Sequence, residues 1–173
     1  MMWLWGAILG GASMACDEVR DVPEEFQVAW ISPVRQRARR TTTLEVVRVA
    51  DLREWIQAHS NDGTRVLRAL GMLDQDERMR RDYKITIFDV RNEWLCRPME
   101  VAEIGERVGG VVACEEDQHG PSDRFHAAGY TGCGHTMDTH ASARGLDVFR
   151  VKWIDASSAG FCVLPLARFL EGA

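Results

Sequence analysis

The chain has 173 residues, of which 46% are hydrophobic and 27% charged, and these are ordinary values for a globular protein. A chain of this length suits one domain and is too short for two comfortable ones. Its net charge is −5, from 21 Lys and Arg residues and 26 Asp and Glu residues. This balance argues against a dedicated nucleic-acid binder, which usually shows a basic footprint, so no nucleic acid is expected as a partner.

The first fifteen residues, MMWLWGAILGGASMA, carry no charged side chain, and Cys16 follows them. A bilayer-spanning helix needs about 20 apolar residues, so this segment is too short to be a conventional one. It is typical of an export signal, with residues 13–15 as the small-x-small cleavage site. Cleavage there would make Cys16 the N-terminal residue.

This arrangement resembles the signal of bacterial lipoproteins, which implies lipid attachment at Cys16, although no Lys or Arg precedes the apolar run. We therefore expect an exported protein, periplasmic or anchored to the membrane through its N-terminus. The alternatives are an N-terminal strand or helix that packs into the domain, and a leader that is retained as an anchor. Residues 16–25 are rich in acidic side chains and contain a proline, which favours a tether, and residues 26–173 would form a single globular domain.

The first predicted strand covers 26–31 and ends at the Ser-Pro pair that follows. Residues 41–50 are rich in β-branched side chains and predict the next strand. Asp51 would then cap a helix with Leu52, Trp55 and Ile56 on one face. A turn at 61–63 leads to a second short helix over 64–73.

Residues 83–90 alternate well and predict a central strand, with 93–96 as its neighbour. A helix is expected over 99–108 and a strand over 111–114. Residues 115–146 show little periodicity and predict a long irregular loop. Strands at 147–154 and 161–164 follow, and 167–170 is expected as a short helix or coil. Five or six strands with about three short helices, unevenly interleaved, predict an α+β fold with a mostly antiparallel sheet.

Histidines and cysteines cluster in and beside the expected loop. The members of this cluster are Cys114, His119, His126, Cys133, His135 and His140. Three interpretations compete for them.

The first interpretation is a disulfide framework. Once Cys16 is set aside for the leader, the remaining cysteines are Cys96, Cys114, Cys133 and Cys162. An even number suits an oxidising compartment, and three connectivities are possible. One of them closes the long loop with Cys114–Cys133 and leaves Cys96–Cys162 to join two strand regions. In the cytosol the same cysteines would be small buried hydrophobes.

The second interpretation is a zinc-type metal site. Cys133, His135 and His140 would supply three ligands, and Cys114, His119 or His126 the fourth. The spacing matches none of the strong zinc templates, so zinc is the alternative and no cofactor is expected under the leading hypothesis. The third interpretation is a nucleophilic Cys133, with His135 or His140 as its base and Asp138 orienting that base. A disulfide at Cys133 would exclude this role.

Arginines are concentrated in the segment VRQRARR, at Arg35, Arg37, Arg39 and Arg40. Such a run either contacts an acidic partner or is a solvated loop before a strand.

No phosphate-binding loop, dinucleotide fingerprint or hydrolase elbow occurs in the sequence, which favours a protein that is not an enzyme. The leading hypothesis is an exported, possibly lipid-anchored binding or accessory subunit whose partner is another protein or a larger assembly. One alternative is a zinc-type enzyme or module built on the loop 114–140. The other is a cytosolic regulatory domain that binds an acidic partner through the arginines at 35–40.

Overall fold

The computed structural model describes residues 27–59, 82–98, 107–108, 111–114, 135–138, 143–158 and 160–172. The expected leader, tether, turn at 61–63 and helix at 64–73 lie outside these ranges. The strands are β1 Gln27–Pro33, β2 Thr43–Arg48, β3 Tyr83–Asp89, β4 Cys96–Arg97, β5 Arg107–Val108, β6 Val111–Ala113, β7 His135–Asp138, β8 Ala143–Asp147, β9 Phe149–Lys152 and β10 Phe161–Pro165. The helices are α1 Val49–Ala58, α2 Trp153–Ser158 and α3 Leu166–Glu171, with a 3-10 turn at Asn92–Trp94.

The main sheet runs in the order β10-β3-β1-β2-β9-β4-β6-β5, and β7 pairs with β8 separately. Neighbouring strands of the main sheet are antiparallel, except that β4 and β6 are parallel. The expected α+β class with a mostly antiparallel sheet is therefore confirmed. The sheet extends beyond the strongly alternating strands through β4, β5 and β6, which are too short for alternation to be visible in the sequence.

Both faces of the sheet are buried, because successive side chains of a strand point to opposite faces. In β1, Ala29 and Ile31 join a core cluster with residues of α1 and α3, on what we call the first face. Val28 and Trp30 join the cluster on the second face, where α2 contributes Ala156. The sheet is thus a central layer with helices on both sides.

Helix α1 begins at Val49, directly after β2, rather than behind a cap at Asp51. Val49 is fully buried, and its burial turns the chain from the strand onto the first face without an intervening loop. Asp51 lies in the first turn instead, where a negative charge is favourable beside the positive end of the helix dipole. The prediction of strand up to residue 50 was therefore wrong by two residues.

The segment 93–96 does not pair with β3. Residues 92–94 form the 3-10 turn. Strand β4 then pairs with β6 and β9, so that β1, β2 and β9 lie between β3 and β4 in the sheet. The half-buried Trp94 packs against the second-face cluster, and this contact holds the chain where it passes from β3 to β4. The end of the helix expected over 99–108 is also strand, because β5 pairs with β6; residues 99–106 lie outside the described ranges.

The strand expected over 147–154 is divided. Asp147 is the last residue of β8, β9 covers Phe149–Lys152, and α2 begins at Trp153. The ring of Trp153 packs against the rings of Trp30, Phe88 and Phe161 on the second face, so this residue begins the helix that covers them. Parts of the expected irregular loop, 135–138 and 143–146, form strands of the small β7-β8 sheet. No α-helix within the described ranges is long and apolar enough to cross a bilayer.

Candidate partner-binding surface and cysteine sites

Cys96 and Cys114 form a disulfide with a Cα–Cα distance of 4.8 Å and a sequence separation of 18. Parallel pairing of β4 with β6 brings the two residues together, since Cys96 opposes Val112 and Cys114 follows β6. This disulfide bears on two of the possibilities that the sequence left open. Cys114 does not pair with Cys133, and its sulfur cannot be the fourth ligand of a zinc site while it is oxidised.

Cys162 is disulfide-bonded as well. It lies in β10 with 1% of its surface exposed and belongs to the first-face core cluster. Because Cys96 is joined to Cys114, the pairing Cys96–Cys162 is also excluded, and the partner of Cys162 lies outside the described residues.

Of the other proposed zinc ligands, His119, His126, Cys133 and His140 lie outside the described residues, and His135 is described only as backbone in β7. Within the described part of the chain, no three His, Cys, Asp or Glu side chains are grouped so that they could hold a metal ion. The zinc site and the Cys133 nucleophile therefore stay predictions.

The arginine-rich segment forms the loop 34–42 between β1 and β2, and this loop is held by two consecutive turns. Gln36 N donates to Pro33 O at 2.9 Å, and Thr42 N donates to Arg39 O at 2.9 Å. Arg39 N also donates to Thr42 Oγ1 at 2.8 Å. Ala38, between the turns, packs against the second-face cluster. The loop is thus an ordered platform with all four of its arginines exposed.

Sheet register brings two further cations to the same end of the molecule. Lys84 lies opposite Ser32 near the start of β3, and Lys152 lies opposite Thr43 at the end of β9. We call this set the basic end; it consists of Arg35, Arg37, Arg39, Arg40, Lys84 and Lys152. Lys84 and Lys152 are the only lysines of the chain. Sequence reasoning missed both, because their proximity to the loop depends on long-range strand pairing.

No ion pair neutralises any cation of the basic end among the described residues. Lys84 Nζ donates to the backbone oxygen of Gln36 at 2.7 Å, which ties β3 to the loop. Partial burial, and secondarily the nearby charge of Arg37, hold the pKa of Lys84 below its ordinary value of 10.5. The lysine therefore lies in a field that is already positive.

Apolar side chains border the basic end. Val34 is 50% exposed and Ile154 is 47% exposed, and both belong to the few large hydrophobic side chains that the described residues leave open. Trp153 N donates to Thr42 O at 2.9 Å, which holds the start of α2, and with it Ile154, beside the loop. The surface therefore combines exposed guanidinium groups with exposed aliphatic groups.

Two other arginines are buried inside the sheet. Arg97 contacts Asp147 at 2.9 Å, with 2% of its side chain exposed, and Arg150 contacts Glu45 at 3.4 Å, with 8% exposed. The guanidinium of Arg97 also lies 5.4 Å from the centroid of the Phe149 ring. These contacts join β4, β8, β9 and β2, so we assign Arg97 and Arg150 to the stability of the fold rather than to a site.

No known protein family matches the chain, and neither the curated proteins nor the solved structures include a detectably similar one.

Proposed function

We propose that the protein is an exported binding or accessory subunit, anchored to a membrane by lipid on Cys16. The observation that carries the proposal is the disulfide geometry of the cysteines. Cys96, Cys114 and Cys162 are all in disulfides. Stable disulfides are rare in the cytosol and common in exported proteins, and this supports the interpretation of the leader as a secretion signal.

The lipid anchor makes a specific demand on the second disulfide. A lipidated Cys16 holds its sulfur in a thioether, so it cannot oxidise with Cys162. With Cys96 and Cys114 joined to each other, Cys133 would then be the partner of Cys162. The proposal therefore predicts a Cys133–Cys162 disulfide, which would also exclude Cys133 as a resting nucleophile.

The test is the intact mass of the protein produced with its own leader in a bacterial host, followed by peptide mapping without reduction. We expect loss of residues 1–15, added acyl mass on Cys16, and the two disulfides Cys96–Cys114 and Cys133–Cys162. A full-length product with all its cysteines as free thiols would overturn the proposal.

The variant Cys16→Ser is the matched control. It should lose the acyl mass while Cys162 stays oxidised, because the predicted partner Cys133 is untouched. A Cys162 thiol that becomes free in Cys16→Ser would mean that Cys16 was its partner, and lipid attachment at Cys16 would be refuted.

A further inference from the structure

We propose that the basic end is a docking surface for a carboxylate-rich segment of a partner protein. This inference deepens the proposed function and rests on it, since it names the kind of partner that the anchored subunit binds. The four loop arginines had suggested an acidic partner; the fold adds Lys84, Lys152 and an apolar border to that surface.

The first argument is electrostatic. The whole chain has a net charge of −5, yet six cations gather at one end of the sheet without an ion pair among the described residues. The acidic side chains that the described elements bring to this end are Asp82, before β3, and Asp155, in α2. Geometry brings Lys84 to the loop through its contact with Gln36, and the charge of Arg37 acts unfavourably on it there, so an external anion would relieve this repulsion.

The second argument is shape. The cations span the neighbouring strands β3, β1, β2 and β9. At about 4.8 Å between strands, this is a row roughly 14 Å wide. An extended peptide advances about 3.3 Å per residue, so four or five residues would cross it. The basic end thus matches a short acidic segment in length.

The third argument is preorganisation. Two hydrogen-bonded turns, the Lys84 contact with Gln36 and the packing of Ala38 hold the loop backbone before any partner arrives. Fixing a flexible loop costs free energy on binding, and a loop that is already ordered avoids most of that cost.

The composition of the surface fits an acidic protein segment. Four of the six cations are arginines, whose planar guanidinium groups bind a carboxylate through two parallel hydrogen bonds, as they also bind phosphate. Charge alone therefore does not distinguish this segment from an anionic lipid surface, and the position of the surface does. Exposed Val34 and Ile154 would in turn contact aliphatic side chains between the acidic residues.

The position of the surface supports the same choice. The expected tether enters β1 at Gln27, and the basic end lies beyond the opposite end of that strand. Seven residues of strand cover about 23 Å. A domain held to a membrane through its N-terminus can therefore present the basic end away from the bilayer, where a protein partner can reach it.

The experiment uses the full chain and a fluorescent peptide of repeated Glu-Glu-Leu units, with repeated Gln-Gln-Leu units as the control peptide. Binding is followed by fluorescence anisotropy at low and at physiological salt. Replacing Arg35, Arg37, Arg39 and Arg40 together by Gln should weaken binding of the acidic peptide by at least about tenfold. The Gln peptide should bind weakly to both proteins.

The matched variants Arg37→Glu and Arg91→Glu separate the surface from the net charge. Both change an exposed arginine by the same amount of charge, but Arg91 follows β3 at the end where β1 begins. Arg37→Glu should weaken binding several-fold, and Arg91→Glu should leave it within about twofold. Equal weakening by the two variants would overturn the proposal, because binding would then follow net charge alone.

A second measurement uses vesicles that contain phosphatidylglycerol. If the chain sediments with them and Arg37→Glu abolishes this while peptide binding is absent, the surface binds lipid and the proposal is wrong. Peptide binding can be measured whether or not the leader has been removed and the cysteines have been oxidised. A full-length, thiol-containing product that still binds the acidic peptide through Arg37 would therefore refute only the proposed export, not the docking surface.

Discussion

Arg97 and Arg150 are buried between strands and each contacts a carboxylate, whereas the arginines at 35–40 are exposed on a loop and form no ion pair among the described residues. The side-chain chemistry is the same in the two regions. A buried guanidinium must be neutralised where it lies, because removing its partner leaves an uncompensated charge away from water. An exposed guanidinium is stabilised by water and does not require a carboxylate partner within the protein.

This comparison assigns different work to the two regions. The buried pairs hold β4 and β8, and β2 and β9, in fixed positions. The open cations contribute nothing comparable to the fold and even repel one another. We therefore expect substitutions in the buried region to affect stability, and those in the basic end to affect binding. Four experiments would test this division.

The largest effect is expected from Asp147→Asn, which removes the charge that contacts Arg97 and leaves the guanidinium buried. The free energy of unfolding should fall by about 3 kcal/mol. Urea denaturation followed by circular dichroism measures it. The control is Glu93→Gln at the exposed Arg91–Glu93 pair, 3.5 Å long, which should change stability by less than about 0.5 kcal/mol. Similar effects of the two variants would contradict the division between buried and exposed pairs.

Loss of the disulfide should have the next largest effect. The variant Cys96→Ala/Cys114→Ala opens a link across 18 residues and should cost about 3 kcal/mol. Cys114 N donates to Arg97 O at 2.9 Å, so the disulfide also holds the backbone of the buried arginine. Combining this variant with Asp147→Asn should therefore give a loss that differs from the sum. Strictly additive losses would mean that the disulfide and the Arg97–Asp147 contact act independently on stability.

The neutral variant of the basic end should have a smaller effect on stability, with the opposite sign. Replacing the four loop arginines by Gln removes repulsion, so the free energy of unfolding should stay constant or rise by about 0.5 kcal/mol at low salt. The gain should vanish at high salt, because counterions already screen exposed charges there. A clear loss of stability would place these arginines in the structural group.

The smallest effect concerns the pKa of Lys84. Burial, then the charge of Arg37, lower it from 10.5, so the folded protein releases this proton more readily than the unfolded chain. The resulting cost to folding is fully present below the lowered pKa and disappears as the pH rises to 10.5. NMR titration of the lysine Cε–Hε signals should give a midpoint for Lys84 below 10.5. Arg37→Gln should move it upward, and an unchanged midpoint would remove Arg37 as a cause.

Strands β1, β2, β3 and β10 could be predicted from alternation and β-branched content, whereas the sequence left the segment of α3 open as a short helix or coil. The break at Val148 could not, because residues 147–154 predict one strand without a local sign of interruption, and residues 143–146 of β8 fall in the segment predicted as an irregular loop. The change to helix at Trp153 was missed for a similar reason. It depends on a cluster of aromatic rings contributed by β1, β3 and β10, which no local window contains.

The candidate surface was predictable in part. Four arginines within six positions are visible in the sequence, but Lys84 and Lys152 join them only through strand register. The buried arginines could not be distinguished from the exposed ones, since Arg97 lies in a strand of two residues with no readable pattern. The disulfide connectivity was equally inaccessible, because any of three pairings satisfies the cysteine count.

The order of strands in the sheet also sets when the domain can fold. β9 pairs with β2 and β10 pairs with β3, so strands from the last part of the chain close the central group from both sides. Glu45 and Arg150 meet across β2 and β9 although they are 105 residues apart in sequence. Contacts between such distant segments form slowly. The central strands are therefore completed only when residues 149–173 are present, and removal of these residues should abolish cooperative unfolding.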